Sequence, residues 1–173
     1  MAQIIFVSHA KDLIRNAVLW QVYHQLAPQA ATPHSFWLQG GQRTQHNTLQ
    51  PMGFTAQNHP TTFKALLSIQ GRQVGVLCCA PQLTTLLNGI NMLAGEGAEI
   101  IVCGLQSANE LFEPFVRGGL QRIGHEYMDT INLQGRIPNN ALIDINALRD
   151  GNLFNDIAQN IVARIMQLIN QNN

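Results

Sequence analysis

Charge is scarce in this sequence, and the few charged residues balance one another. Ten Lys and Arg stand against ten Asp and Glu, which leaves no formal net charge, and no run of Lys and Arg occurs. Nucleic acid and anionic membranes require a basic patch, so neither is an expected partner. The surface must instead be wetted by 18 Gln and 16 Asn. Weak charge repulsion also permits self-association, as a homodimer or tetramer.

Cysteine is rare as well, and no long apolar run is present. The three cysteines, Cys78, Cys79 and Cys103, lie in or beside short apolar runs. Their odd number argues against a disulfide framework and is typical of a reducing compartment. No apolar stretch reaches the roughly 20 residues of a membrane span, and the first residues lack the pattern of a signal peptide. We therefore expect a cytoplasmic protein without a membrane segment.

Short apolar runs alternate along the chain with segments of helical periodicity. The runs are rich in branched residues, which is typical of strands buried on both faces. Residues 41–51 are polar and predict an exposed loop, and most of 118–150 carries no clear pattern. The predicted strands are 4–7, 35–38, 52–56, 74–80, 100–104 and 141–145, and the predicted helices are 11–26, 61–69, 83–94, 108–116 and 154–169.

This alternation predicts crossover units and hence a parallel sheet with helices on both faces. The 173 residues are enough for one core and too few for two comfortable ones. We therefore predict a single α/β domain over residues 1–173, a three-layer α/β/α sandwich with a mostly parallel five-stranded sheet. Ligands of such sheets bind outside the carboxyl ends of the strands, so residues that follow strands are the candidates for a site.

The loop after the first strand is the first candidate. It supplies Ser8, His9 and Lys11, and Arg15 and Asn16 follow in the first turns of the helix. These groups favour the binding of an anion, in particular a phosphate, because they combine a hydroxyl, two cations and the N–H groups of a helix N-terminus. An equally good interpretation is that Ser8 caps the helix while the two cations are solvated.

Two further loops offer chemistry. Asn58 and His59 carry donors and acceptors that can read the edge of a heterocycle, although Asn-His-Pro also favours a plain turn. Cys78 or Cys79, followed by Ala80 and Pro81, lies where a thiol could act as a nucleophile, although a cysteine in an apolar run is more often core filling. No cluster of His, Cys, Asp and Glu has metal-ligand spacing, so no metal site is predicted.

Two stretches resemble the NAD(P)H-dependent FMN reductases of the flavodoxin-like class. VSHAKDLIRN (7–16) is similar in placement to the phosphate loop that opens this family. FTAQNHPTTFKALLSIQGRQVGVL (54–77) follows the order of a later part, in which Asn58 matches the Asn of the flavin-ring loop. Phe63-Lys64-Ala65 matches a helix motif, and Gly71-Arg72-Gln73-Val74 matches the start of a strand. The resemblance covers about residues 3–105.

The resemblance implies a flavodoxin-like domain that binds FMN and uses NAD(P)H to reduce a small acceptor, such as FMN itself or a quinone. It implies that protein groups orient the flavin while the flavin performs the hydride chemistry. The residues would divide into a phosphate site, a ring border and a turn packed beside the ring. These sets are Ser8, Lys11, Arg15 and Asn16 for the phosphate, Asn58 and His59 for the ring border, and Cys78, Cys79, Ala80 and Pro81 for the turn.

Three alternatives remain open. GAEIIVCGLQSANEL (97–111) is similar to the cysteine-bearing strand end of DsrE-like sulfur-relay proteins, which would make Cys103 a persulfide carrier. VLCCAPQLTTLL (76–87) is similar to the nucleophile turn of PfpI-like cysteine hydrolases, which would give that role to Cys78 or Cys79. The third alternative is a non-catalytic binding module that uses the Gln- and Asn-rich surface.

Overall fold

The structure, a computed structural model, describes residues 1–38, 44–46, 60–79, 82–106, 112–137 and 152–171. These residues form a seven-stranded sheet with helices on both of its faces, and none of the described helices has the length and apolar character needed to cross a membrane. The strands are β1 (Gln3–Ser8), β2 (His34–Leu38), β3 (Thr44–His46), β4 (Phe63–Ile69), β5 (Arg72–Cys78), β6 (Ile100–Leu105) and β7 (Glu126–Asn132). The helices are α1 (Asp12–Leu26), α2 (Leu83–Gly95), α3 (Phe112–Arg122) and α4 (Leu153–Gln171).

The sheet is mixed, so the prediction of a mostly parallel five-stranded sheet is wrong. Its strand order is β3-β2-β4-β5-β6-β1-β7. The four strands β5, β6, β1 and β7 are parallel, whereas β4 is antiparallel to both β5 and β2, and β3 is antiparallel to β2. The order also differs from the flavodoxin-like order 2-1-3-4-5, because β1 here lies between β6 and β7.

The antiparallel half of the sheet arises from a hairpin that the sequence pattern did not predict. Residues 61–69 were expected to form a short helix, but Phe63–Ile69 is the strand β4, which pairs with β5 along its whole length. A two-residue turn joins the strands, with φ of 52° at Gln70 and 81° at Gly71. Two positive φ values match the right-handed twist of a hairpin, and glycine adopts such a value at no steric cost. The less common Gln-Gly pair replaces the Asn-Gly signal that would have predicted this turn.

Other predicted elements were confirmed with shifted ends, or fall partly outside the described residues. Strand β7 occupies part of the stretch that had no clear pattern, and Thr44–His46 is a strand within the predicted loop 41–51. Helix α3 covers Phe112–Arg122 and so ends later than the expected 108–116, whose first residues lie outside the described part of the chain. The predicted strands at 52–56 and 141–145 lie outside the described residues.

Strand β1 is the centre of the core. Its apolar residues Ile4 to Val7 have no exposed surface, and alternate side chains enter two separate apolar clusters. One cluster lies between the sheet and the helices α1 and α4, and the other lies between the sheet and the helices α2 and α3. The expected three-layer arrangement of helices, sheet and helices follows from this division.

Aromatic rings fill the layer beneath α1. Trp20 of α1 meets the Phe63 ring edge-on at 5.1 Å, and Phe36 and Phe63 stack at 5.6 Å between ring centroids. Such pairs contribute roughly 0.5–1.5 kcal/mol each beyond the area they bury. Because Phe36 and Phe63 belong to β2 and β4, this cluster fixes the antiparallel half of the sheet against α1.

Helix α2 approaches β5 closely at Gly89. A Cβ added at Gly89 would lie 2.9 Å from a methyl group of Leu77, whose side chain is almost fully buried. We expect Gly89→Ala to lower the free energy of unfolding by about 1 kcal/mol, since overpacking costs about 1–3 kcal/mol and the gain in helix propensity returns about 1 kcal/mol. Urea unfolding followed by circular dichroism measures this change.

Gly95→Ala in the same helix is the matched control, because no atom lies within 4 Å of its added Cβ. This variant should unfold at the same urea concentration as the parent chain or at a slightly higher one. Equal stabilisation by both substitutions would show that α2 is not in tight contact with Leu77 at Gly89.

Candidate functional site

The carboxyl ends of the four parallel strands lie at one end of the sheet, which we call its carboxyl end. Strands β1 and β6 are neighbours, yet the chain leaves β1 for α1 on one face and leaves β6 for α3 on the other. In open α/β sheets this divergence of connections produces a crevice in which ligands bind. The first loop of the chain therefore lies where a site was expected.

His9 holds that loop in place. Its imidazole is fully buried, and its Nε2–H donates to the carbonyl oxygen of Ile137 at 2.7 Å. The other ring nitrogen, Nδ1, accepts the backbone N–H of Lys11 at 3.0 Å. These two bonds fix the tautomer of His9 and connect the loop after β1 with the segment after β7, so the role that the structure gives to His9 is a structural one.

Arg15 is also engaged within the protein. Its side chain is only 3% exposed, and its guanidinium donates to the carbonyl oxygen of His9 and to the carboxylate of Asp12. The residue at the N-cap of α1 is Lys11 rather than Ser8, and its side chain makes no capping hydrogen bond. Ser8 is buried, and its carbonyl oxygen accepts the N–H of Leu133. The alternative interpretation, in which Ser8 caps the helix, is therefore wrong, and Arg15 is buried rather than solvated.

Asn16 and Cys78 form a tether between α1 and the hairpin. The Asn16 amide donates to the carbonyl oxygen of Thr61 at 3.0 Å, and the Cys78 thiol donates to the Asn16 Oδ1 at 3.0 Å. The structure thus brings together Asn16 and Cys78, which the sequence treated as parts of one site. Asn58, His59, Ala80 and Pro81 lie outside the described residues.

The environments of the three cysteines oppose thiolate chemistry. Burial raises the pKa of the Cys78 and Cys103 thiols well above the ordinary range. Burial also raises the pKa of Cys79, to about 11, although the positive charges of Arg15 and Lys64 act in the opposite direction. Because the thiolate is the nucleophile, thiols that are protonated at neutral pH do not favour the persulfide or hydrolase alternatives.

A cleft opens at the carboxyl end of the sheet on the face that carries α2, and we call it the Lys64 cleft. Its volume is about 450 Å³, within the range of small-molecule sites. One wall is a flank of α2, where residues spaced by three and four share a face. The cleft is lined by Thr62, Lys64, Leu77 and Cys79 from the sheet side and by Thr85, Asn88, Gly89 and Met92 from α2.

Lys64 gives this cleft a positive charge. Its side chain is half-buried, and no ion pair or hydrogen bond joins it to any residue that the structure describes. Its charge acts instead on the thiol of Cys79, as does that of Arg15. The Lys64 Nζ is not among the buried polar atoms that lack a hydrogen-bond partner, so the ammonium keeps contact with solvent and is accessible to an anion that enters the cleft.

Sequence reasoning missed Lys64 as a site residue because it placed residues 61–69 in a helix. In the strand β4, Phe63, Ala65 and Leu67 enter the core beneath α1, while Lys64 points to the opposite face. The alternation of Lys64 with these apolar residues was the available signal, since period-two patterning is typical of strands.

No protein-family model matches the chain, and no curated protein or solved structure matches it either. Among the described residues, no group of three or more His, Cys, Asp and Glu could hold a metal ion. The chemistry of the Lys64 cleft is therefore the strongest guide to function.

The raised pKa of Cys79 predicts slow alkylation. At pH 7 we expect iodoacetamide to modify Cys79 on the order of a hundredfold more slowly than an ordinary thiol, with Cys78 and Cys103 slower still. The rate at Cys79 should rise about tenfold per pH unit as the pH approaches its pKa of about 11, because the reactive thiolate forms in that range. Mass spectrometry of timed samples gives the rate at each residue.

The urea-unfolded chain serves as the control, in which all three cysteines should react at ordinary rates. Rapid modification of one cysteine in the folded chain at pH 6 would contradict the structure and would restore the cysteine-based alternatives.

Proposed function

We propose that this protein binds a small molecule in the Lys64 cleft and that an anionic group of the ligand pairs with the Lys64 ammonium. The observation that carries the proposal is a half-buried lysine that faces a cleft of about 450 Å³ without an ion-pair partner among the described residues. Hydrogen bonds to a charged group contribute about 1.5–3 kcal/mol each, so one such contact can anchor a ligand.

The other lining residues suit a ligand that is partly apolar. Met92 supplies apolar surface, whereas Thr85 and Asn88 offer a hydroxyl and an amide from exposed positions on α2. Small-molecule sites combine apolar walls with a few polar groups that set orientation. The N-terminal half of α2 borders the same cleft, and the positive end of a helix dipole also favours an anion.

FMN is the specific ligand that we propose to test first, with NAD(P)H as the electron donor and a small acceptor such as a quinone. FMN joins a phosphate to a flat, largely apolar ring, and this pairing matches a cationic cleft with apolar walls. We place the phosphate at Lys64 rather than at the first loop, because the side chains of Arg15 and His9 already form hydrogen bonds within the protein. When bound, the flavin would carry the hydride chemistry, and Lys64, Thr85 and Asn88 would hold and orient it.

Substitution of the two lysines separates the two possible phosphate sites. We expect FMN and inorganic pyrophosphate each to raise the melting temperature of the parent chain, and we expect Lys64→Gln to weaken both ligands at least about tenfold because a charge-assisted contact is lost. Calorimetric titration gives the affinities. The chain contains one other lysine, so Lys11→Gln is the matched control and should bind both ligands as the parent does.

Loss of binding in Lys11→Gln with retention in Lys64→Gln would place the anion at the first loop and refute the proposed site. Binding of pyrophosphate without FMN would keep the anion site but remove the flavin from the proposal.

A further inference from the structure

Tyr23 and His34 form a buried acid–base pair in the aromatic layer beneath α1. The Tyr23 hydroxyl lies 2.7 Å from the His34 Nε2, Tyr23 has no exposed surface, and His34 is only 4% exposed. Among the residues that the structure describes, His34 is the only hydrogen-bond partner of this hydroxyl. A buried O–H that donates to nothing is costly, so the phenol is the donor and the imidazole nitrogen is the acceptor.

The Tyr23 phenol keeps its proton over the ordinary pH range. Burial raises the pKa of Tyr23 above its ordinary value, because the phenolate charge would be removed from water. Loss of one electron from the ring reverses this situation, because a phenol radical cation is a strong acid. The His34 nitrogen is then a base within hydrogen-bond reach of the proton, which is the geometry that proton transfer requires.

Aromatic neighbours connect Tyr23 with the outside of α1. The Trp20 ring lies 5.2 Å from the Tyr23 ring, and the half-buried His24 ring meets Trp20 edge-on at 4.8 Å, both between ring centroids. These separations are those of rings in contact, which is where electron transfer is fastest. Burial lowers the pKa of His24, so at neutral pH this ring is uncharged and does not oppose the removal of an electron from Tyr23.

The chain contains one other tyrosine, and its surroundings are different. The Tyr127 hydroxyl lies 3.0 Å from the hydroxyl of Thr130, which is not a base at neutral pH. The guanidinium of Arg117 lies 3.9 Å from the centroid of the Tyr127 ring, and a positive charge there disfavours removal of an electron. Tyr127 is therefore a matched control for Tyr23.

We propose that Tyr23 and His34 are a proton-coupled electron-transfer site, at which a one-electron oxidant converts Tyr23 to a neutral tyrosyl radical. The oxidant belongs to the class of oxidised metal complexes or photo-excited flavins. One electron passes from the Tyr23 ring to this oxidant, the phenolic O–H bond breaks, and a new N–H bond forms at the His34 Nε2. A one-electron reductant reverses both transfers. The activity does not depend on the ligand proposed for the Lys64 cleft.

Oxidation of the full chain by photo-generated ruthenium(III) tris-bipyridine tests this inference. Electron paramagnetic resonance of freeze-quenched samples should show a tyrosyl radical in the parent and in Tyr127→Phe, and Tyr23→Phe should lose most of that signal. Circular dichroism shows whether each variant is folded. Tyr127→Phe contains Tyr23 as its single tyrosine, so its signal decides the question even if Tyr23→Phe does not fold.

His34→Gln separates the base from the hydrogen bond, because a glutamine amide can accept the Tyr23 hydroxyl but cannot take its proton. Flash photolysis should show the radical forming on the order of a hundredfold more slowly in this variant, since a positioned base contributes about 10²–10⁴-fold to a proton transfer. Exchange of the parent into heavy water should also slow the reaction, because the phenolic hydrogen moves with the electron.

A tyrosyl signal that persists in Tyr23→Phe and disappears in Tyr127→Phe would overturn the inference. So would an equal rate of radical formation in the parent and in folded His34→Gln, because the proton would then not pass to His34. These outcomes leave the anion site at Lys64 untouched, since that site is tested by the binding of pyrophosphate.

Discussion

The complete burial of β1 is the constraint on which the rest of this fold depends. Residues Ile4 to Val7 carry no polar side chain and have no exposed surface, so apolar layers must cover both faces of the strand. Helices α1 and α4 supply one layer, and helices α2 and α3 supply the other. Since β1 and its neighbour β6 lead to helices on opposite faces, the chain necessarily opens a crevice at the carboxyl end of the sheet.

The hairpin of β4 and β5 determines which residues line the Lys64 cleft, which lies at the same end of the sheet. Because β4 is antiparallel to β5, its first residues meet the last residues of β5, and Lys64 faces Leu77 across the pair. A fully parallel sheet would have placed Lys64 near the amino end, far from Cys79. The turn at Gln70 and Gly71 therefore decides the position of Lys64, since it brings this cation to the carboxyl end of the sheet.

The sequence predicted the elements with strong periodicity and missed those that depend on pairing. Strand β1, helix α1 and helix α4 could be located because continuous apolar runs and helical stripes reflect burial directly. Strand order, in contrast, depends on contacts between distant segments, and a short apolar stretch such as 61–69 fits either a helix or a strand. The first loop was located correctly, but the contacts of Arg15 with His9 and Asp12 could not be read from residue types alone.

Lys64 illustrates the same limit at the site. Its residue type was visible, yet its place in a cleft follows from the hairpin and from the flank of α2.

The most direct test of the account is a map of backbone amide chemical shifts by nuclear magnetic resonance during titration with pyrophosphate. The account predicts saturable shifts at Lys64, Cys79 and Thr85. Shifts confined to Lys11, Asp12 and Leu13 at the start of α1, with Lys64 unchanged, would contradict it.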